Sequence, residues 1–148
     1  MSEAATRNRV GYEEDFAAWA DDQARLIRAG DFAALDLERV AEEIEGLGVS
    51  ERRELRSRLI ILLQHLVKWQ YQPAFRSPSW SRTIRTQREN VEEVLEENPS
   101  LRRTLPDVLP RAYRNGRVEA LKETGIDSMP DTCPWTIEQV MSPDFLPD

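Results

Sequence analysis

The sequence has very few of the residues that form covalent or metal-bound sites, with one cysteine, Cys133, and one histidine, His65. A single cysteine cannot form an internal disulfide, which excludes a disulfide-stapled fold. No cluster of cysteines and histidines suggests a zinc site either. One free thiol is typical of proteins in a reducing compartment, so we expect a cytoplasmic protein.

Long apolar runs and glycine-rich motifs are also missing. No stretch approaches the ~18–20 apolar residues of a membrane-spanning helix, so we expect a soluble protein with no membrane partner. With only 6 glycines in 148 residues, the chain has no phosphate-binding glycine loop, and it has no nucleophile elbow. The sequence therefore predicts no cofactor and leans against an enzyme.

Charge is distributed unevenly along the chain, whose net charge is -7. Residues 10–49 contain eleven acidic and three basic side chains, whereas residues 50–90 contain three acidic and nine basic ones. Charged blocks on helices are most often solvated or internally paired, so we interpret the two segments as complementary faces of one fold. The alternative is a basic patch that binds a partner. Arginine, which is 18 of the 20 basic residues, suits forked contacts to carboxylate or phosphate.

Apolar residues recur with helical spacing, and no stretch alternates as a β-strand does. We predict an all-α fold, a bundle of about five helices with an irregular proline-rich tail at 125–148 that carries one short helix. One core suffices for this length, which predicts a single domain at 11–148 after a disordered segment at 1–10. The predicted helices lie at 12–30, 36–48, 50–72, 80–97 and, within a longer stretch, 101–124.

Three patterns predict how these helices begin and pack. Ser50 is a candidate cap for the third helix, and the spacing of Thr136 and Gln139 predicts a capping box for the short tail helix. Small residues at four-residue spacing in the fifth helix allow close approach of a neighbour. The predicted inward residues are Leu37, Val40, Ala41, Ile44 and Leu47 of the second helix, Leu55, Leu59, Leu62, Leu66 and Trp69 of the third, and Ala112, Gly116 and Ala120 of the fifth.

Six separated segments resemble, in order, a family of small bacterial proteins called domain of unknown function family 29. They are YEEDFAAW at 12–19, LDLERVAEEIEGLG at 35–48, LLQHLVKWQYQP at 62–73, SWSRTIRTQR at 79–88, ENPSLR at 97–102 and CPWTIEQV at 133–140. The resemblance implies a helical fold and a bacterial source, with no established activity, cofactor or partner. Gly116 departs from the family's usual alanine, and Met129 from its frequent phenylalanine.

His65 lies in the most apolar predicted helix, on a polar stripe that includes Lys68. A helical hairpin could bring Glu42 and Glu43 of the second helix to this stripe, and carboxylates favour a charged histidine able to act as acid or base. The simpler interpretation is a histidine satisfied in the core beside structural ion pairs. A di-metal site is excluded because Leu62 stands where a Glu-x-x-His motif needs its glutamate.

Arg88 occupies a position where the apolar line of the fourth helix would otherwise continue. A buried guanidinium needs a partner, and Glu43 is the structural candidate. The functional alternative is an arginine that holds an anionic ligand in a pocket.

Arg76, Trp80 and Arg88 belong to a segment in which cations and aromatic residues interleave, as they do on surfaces that bind single-stranded nucleic acid. These aromatic residues more often anchor a loop, and the acidic total opposes a polyanion. Nucleic acid is therefore not the favoured partner.

The favoured hypothesis is a cytoplasmic interaction or regulatory module that forms a homo-oligomer or binds a protein partner. An odd number of amphipathic helices leaves one apolar strip that a second chain can cover. The competing hypothesis is a small enzyme or anionic-ligand binder that uses His65, Glu43, Lys68 and Arg88.

Overall fold

A computed structural model describes residues 10–148, and the predicted disordered segment 1–10 falls almost entirely outside them. The described chain forms five α-helices joined by short 3₁₀ turns and contains no strand. The all-α class is therefore confirmed. The helices are α1 (Phe16–Ala29), α2 (Leu37–Tyr71), α3 (Pro78–Glu97), α4 (Leu105–Thr124) and α5 (Ile137–Met141).

Local caps set several of these boundaries. The Asp15 side chain accepts a hydrogen bond from the backbone of Ala18 at the start of α1, and Gly30 ends that helix at φ 72°, in the left-handed conformation that glycine adopts without strain. Thr136 and Gln139 form the predicted capping box of α5. The Gly30 end of α1 and the capping box of α5 were predicted from neighbouring residues, and both are confirmed. The start of α1 differs from the prediction, because the helix begins at Phe16 after the Asp15 cap and not near residue 12.

The predicted second and third helices are a single helix, α2, so the prediction that Ser50 begins a new helix is wrong. Gly46 lies inside α2, and positive φ angles among the described glycines occur only at Gly30 and Gly125. A glycine within a helix costs only about 1 kcal/mol relative to alanine, which the continued backbone hydrogen bonds can offset. Glycine therefore weakened this helix without ending it.

The backbone divides into two compact units, Met1–Gly48 and Val49–Asp148. We call the described part of the first, residues 10–48, the hairpin unit, and the second the core unit. Compactness does not test whether the two fold together, so a single domain at 11–148 stays a prediction.

In the hairpin unit, α1 packs against the beginning of α2 through polar and aromatic side chains. The Tyr12 ring makes edge contacts with Phe16 and Trp19, and its hydroxyl donates to Glu43. The Gln23 side chain accepts a hydrogen bond of 2.8 Å from the backbone of Asp36. Aromatic edges and polar pairs thus provide much of this packing.

The core unit holds a continuous hydrophobic core in which α2, α3, α4 and the tail take part. Four leucines of the predicted seam are fully buried, as are the three small residues of α4. Those residues are Leu55, Leu59, Leu62 and Leu66 of α2, and Ala112, Gly116 and Ala120 of α4.

The tail packs on this core through Trp135 and Val140, which are both buried. The Tyr113 hydroxyl donates a hydrogen bond of 2.6 Å to the Pro130 carbonyl. Burial raises the pKa of Tyr113 to about 12, so the phenol stays protonated and keeps this bond at neutral pH. No helix in the described residues has the length and apolar character that crossing a membrane requires.

Candidate functional site

His65 lies in α2 of the core unit, partly buried, with Nδ1 2.8 Å from the Ile61 carbonyl oxygen. A carbonyl can only accept, so the neutral ring carries its proton on Nδ1 when this bond forms. Burial is the main influence on the pKa of His65 and lowers it, and the positive charge of Lys68 adds to the effect. The bond to Ile61 and the charge of Glu123 oppose this decrease only in part, so the imidazole is a backbone-bonded side chain whose charged form is disfavoured.

Lys68 is buried and held within the core unit. Its Nζ lies 2.7 Å from a carboxylate oxygen of Glu123 and 4.6 Å from the centroid of the Trp80 ring. The other Glu123 oxygen accepts a hydrogen bond of 2.7 Å from the Gln64 side chain. These contacts give the ammonium group an anion and an aromatic face, as structural pairing predicts.

Glu42 and Glu43 have surroundings unlike those expected of a catalytic pair. Glu43 accepts a hydrogen bond of 2.5 Å from the Tyr12 hydroxyl, and this bond raises the pKa of Tyr12. Glu42 is exposed and forms no hydrogen bond or salt bridge with residues 10–148. The acid–base hypothesis required a turn between two helices before His65, and α2 has no such turn.

Arg88 is buried and bonded to the tail instead of to the predicted partner Glu43. Its Nε donates a hydrogen bond of 2.8 Å to the Val140 carbonyl, and its Nη2 donates one of 2.7 Å to the Phe145 carbonyl. Burial lowers the pKa of Arg88. The carboxylate prediction is wrong because two backbone carbonyls of the tail accept from the guanidinium, that of Val140 in α5 and that of Phe145 after it.

Arg76 and Trp80 are likewise engaged inside the core unit. Arg76 donates hydrogen bonds of 2.8 Å to the Trp69 carbonyl and 3.4 Å to the Pro147 carbonyl. Its guanidinium also lies 5.1 Å from the centroid of the Trp69 ring. The Trp80 ring faces Lys68. Both indole rings thus face cations of their own chain, which leaves the Arg/Trp segment poorly suited to stacking bases.

Sequence reasoning singled out none of the residues that line a cavity of about 580 Å³ in the core unit. We call it the arginine cleft. Its lining comprises Val49, Arg52, Arg53 and Arg56 of α2, and Pro106, Asp107, Val108, Pro110, Arg111 and Arg114 of α4. The available signal is arginine at helical spacing in two separate segments: Arg52, Arg53 and Arg56 lie within the basic segment 50–90, and Arg111 and Arg114 lie outside it.

A second feature that the sequence did not predict lies on the hairpin unit. Leu37, Ile44 and Leu47 are 65%, 62% and 70% exposed, although all three were predicted to point inward. Steps of seven and three residues place them along one side of α2, and we call them the apolar stripe. The inward prediction is wrong for these three because the contact with α2 is made beside the stripe, where Tyr12 of the segment before α1 donates its hydroxyl to Glu43.

Carboxylates flank the apolar stripe. Glu38, Glu42 and Glu45 are exposed, and none of the three forms a salt bridge or side-chain hydrogen bond with residues 10–148. The nearby cation Arg39 is occupied by Glu13 and Asp36 and covers the Tyr12 ring. The stripe is therefore an apolar surface with an acidic rim.

Comparison with known proteins gives a family and no relative of known function. The family model described as "Domain of unknown function DUF29" matches residues 11–146. No curated protein and no solved structure matches the chain significantly. Because the match spans nearly the whole sequence, the chain belongs to the DUF29 family.

Proposed function

We propose that this protein is a bacterial, cytoplasmic interaction module whose apolar stripe binds a basic amphipathic helix of a partner protein. The observation that carries the proposal is the exposure of Leu37, Ile44 and Leu47 on one side of a helix. Clustered exposed apolar residues rimmed by polar ones are typical of interaction sites. The bacterial source and the cytoplasmic location rest on the family resemblance and on the single free cysteine.

The spacing of the stripe suits a helix as the occupant. An amphipathic helix binds through apolar anchors at i, i+3, i+4 and i+7, and the stripe's steps of seven and three residues fit that spacing. Burying three large apolar side chains supplies the main driving force for such a complex. A helical segment with leucines at that spacing would therefore cover the apolar stripe and bury it.

The charge of the rim specifies the partner further. Glu38, Glu42 and Glu45 would repel the same face of a second copy, whereas lysines or arginines flanking an apolar seam would be attracted. Charge thus favours a different protein over the self-association expected from helix number. The exposed apolar stripe and the exposed carboxylates beside it support binding, whereas Lys68 and Glu123 are paired with each other within the core unit.

The test uses a synthetic helical peptide with leucines at i, i+3, i+4 and i+7 and lysines on both flanks. We expect fluorescence anisotropy to detect binding that weakens at least about tenfold in the double variant Leu37→Ser, Ile44→Ser, since each lost anchor removes about 1.5–3 kcal/mol of burial. Phe75→Ser is the matched control, because Phe75 is 67% exposed in the core unit. Equal losses in both variants would contradict the proposal.

Two further measurements distinguish the occupant. A scrambled peptide of the same composition should bind weakly, and equal binding would show that charge alone is responsible. Sedimentation of the free protein reports self-association. A dimer that the Leu37→Ser, Ile44→Ser variant converts to a monomer would identify a second copy as the occupant and overturn the basic-helix proposal.

A further inference from the structure

The arginine cleft lies between two helix faces of the core unit. Val49, Arg52, Arg53 and Arg56 follow the spacing of one face of α2, with steps of three, one and three residues. Asp107, Pro110, Arg111 and Arg114 repeat the same steps on α4. Two helices therefore present arginine side chains to one shared cavity.

The cationic lining is not neutralised by the chain. Among residues 10–148, none of the five guanidinium groups has a salt bridge or hydrogen-bond partner, and Asp107 is the one carboxylate in the lining. By contrast, Arg58 on the same helix is paired with Glu54 at 2.7 Å. All five arginines are exposed to solvent, so the repulsion between neighbouring turns is small, and a bound anion would relieve it.

The size and lining of the cavity restrict what that anion is. About 580 Å³ is in the range of cavities that hold small molecules and is too small to enclose a folded partner. No aromatic side chain lines it, so it offers no platform on which bases of a single strand could stack. Val49 and Val108 provide apolar contact beside the charges.

Arginine indicates phosphate as the anionic group. A guanidinium presents paired donors that match two oxygens of one phosphate, and groups on opposite walls can hold separate phosphates. Five arginines exceed what one phosphate monoester can occupy. We propose that the arginine cleft is a binding site for a small molecule that carries two or more phosphate groups.

The cleft is independent of the apolar stripe and uses other residues, so the two proposals fail separately. Asp107 gives the cleft proposal an additional signature. Asp107 lines the same cleft as the arginines, and its negative charge opposes a phosphate ligand, so its removal should strengthen binding whereas removal of an arginine should weaken it.

The test is calorimetric titration of the full chain with inorganic tripolyphosphate at low salt. We expect the double variant Arg53→Gln, Arg111→Gln to bind at least about tenfold more weakly and Asp107→Asn to bind more tightly. The matched control is Arg82→Gln, Arg85→Gln, which removes the same charge from α3 positions that are exposed, like Arg53 and Arg111, but lie outside the cleft. The control should bind like the unmodified protein.

Three outcomes would overturn the proposal. They are no binding of tripolyphosphate at low salt, equal weakening in the cleft and control variants, and tighter binding of an oligonucleotide than of tripolyphosphate at equal phosphate concentration. Chemical-shift changes at the Val49 and Val108 methyl groups on titration provide a readout that net charge alone does not move. Arg53→Lys, Arg111→Lys keeps the charge without the paired donors and replaces the glutamine variant if that variant unfolds.

Discussion

Glu123 of α4 holds the buried Lys68 ammonium group of α2 at 2.7 Å, and Trp80 of α3 covers the same group. Three helices thus share one cation. The side chain that sequence analysis offered as a catalytic candidate links helices of the core unit, and this explains why a charged residue is tolerated at 8% exposure.

Removing the anion of this pair should destabilise the core unit. We expect Glu123→Gln to lower the free energy of unfolding by about 1–2 kcal/mol, less than the ~3–5 kcal/mol of a fully buried pair because the Glu123 side chain is half exposed. Urea unfolding followed by circular dichroism measures the change. Glu119→Gln, which removes an exposed partner of Lys122, should change it by less than about 0.5 kcal/mol.

Arg88 should be the main polar anchor of the tail. Arg88→Met removes the two hydrogen bonds that the charged guanidinium donates to Val140 and Phe145. We therefore expect the free energy of unfolding to fall by about 2–4 kcal/mol. Proteolysis of the tail should accelerate in parallel. Arg85→Met is the control on the same helix, since Arg85 is exposed and has no bonded partner among residues 10–148. Similar losses in both variants would contradict a specific anchor.

His65 should titrate below its reference pKa of about 6.5, because burial disfavours the charged ring. NMR titration should give the same His65 pKa in Glu43→Gln as in the unmodified protein. The His65 pKa should be lower still in Glu123→Gln, because the Glu123 carboxylate favours the imidazolium. A value above 6.5, or one that responds to Glu43→Gln, would restore the acid–base hypothesis.

The same shift predicts how stability depends on pH. The unfolded chain binds the His65 proton more readily than the folded chain, so stability falls as pH decreases through about 6.5 toward the lower folded pKa. Comparing unfolding at pH 7.5 and pH 5.5 tests this expectation. The decrease in the free energy of unfolding between these two pH values should be smaller in His65→Gln. An identical pH dependence in the variant would contradict a contribution from His65.

Two glycines inside helices should respond oppositely to alanine. At Gly46 an added Cβ meets nothing within 4 Å, so Gly46→Ala should stabilise the chain by about 0.5–1 kcal/mol. At Gly116 the added carbon lies 3.0 Å from the Ile60 carbonyl oxygen and 3.0 Å from the Gln64 amide nitrogen. We expect Gly116→Ala to destabilise by about 1–2 kcal/mol, as overpacking outweighs helix propensity.

Thermal and urea unfolding of the two alanine variants measure the difference. If Gly116→Ala were as stabilising as Gly46→Ala, α2 and α4 could separate at little cost. The close approach at the small-residue stripe would then contribute little to the packing of the core unit.

The predictable parts of the fold were those encoded by nearby residues. The leucines from Leu55 to Leu66 became the core seam because their spacing fixes one side of any helix that contains them. The same reasoning failed for Leu37 and Ile44. Their spacing is equally regular, but burial also needs a neighbour on that side, and Tyr12 contacts α2 at Glu43, on a different side.

The candidate sites were less predictable than the helices. Sequence analysis selected His65, Arg76 and Arg88 because they were unusual in composition, and the structure gives each of them a backbone carbonyl partner. The arginines of the cleft were unremarkable in the sequence. Arg53 and Arg111 are 58 positions apart, and their proximity depends on how α2 and α4 pack.

By itself the sequence determined the helical class, the glycine end of α1, the capping box of α5 and the buried side of the core helices, because these depend on interactions within about one or two helical turns. Only the tertiary structure decided which charges find partners. Arg88 reaches carbonyls of the tail more than fifty residues away, whereas Arg53 reaches no acceptor among residues 10–148. The pairing of a charge is set by chain segments that local spacing does not bring together, and the same physics leaves the cleft positive and the apolar stripe exposed.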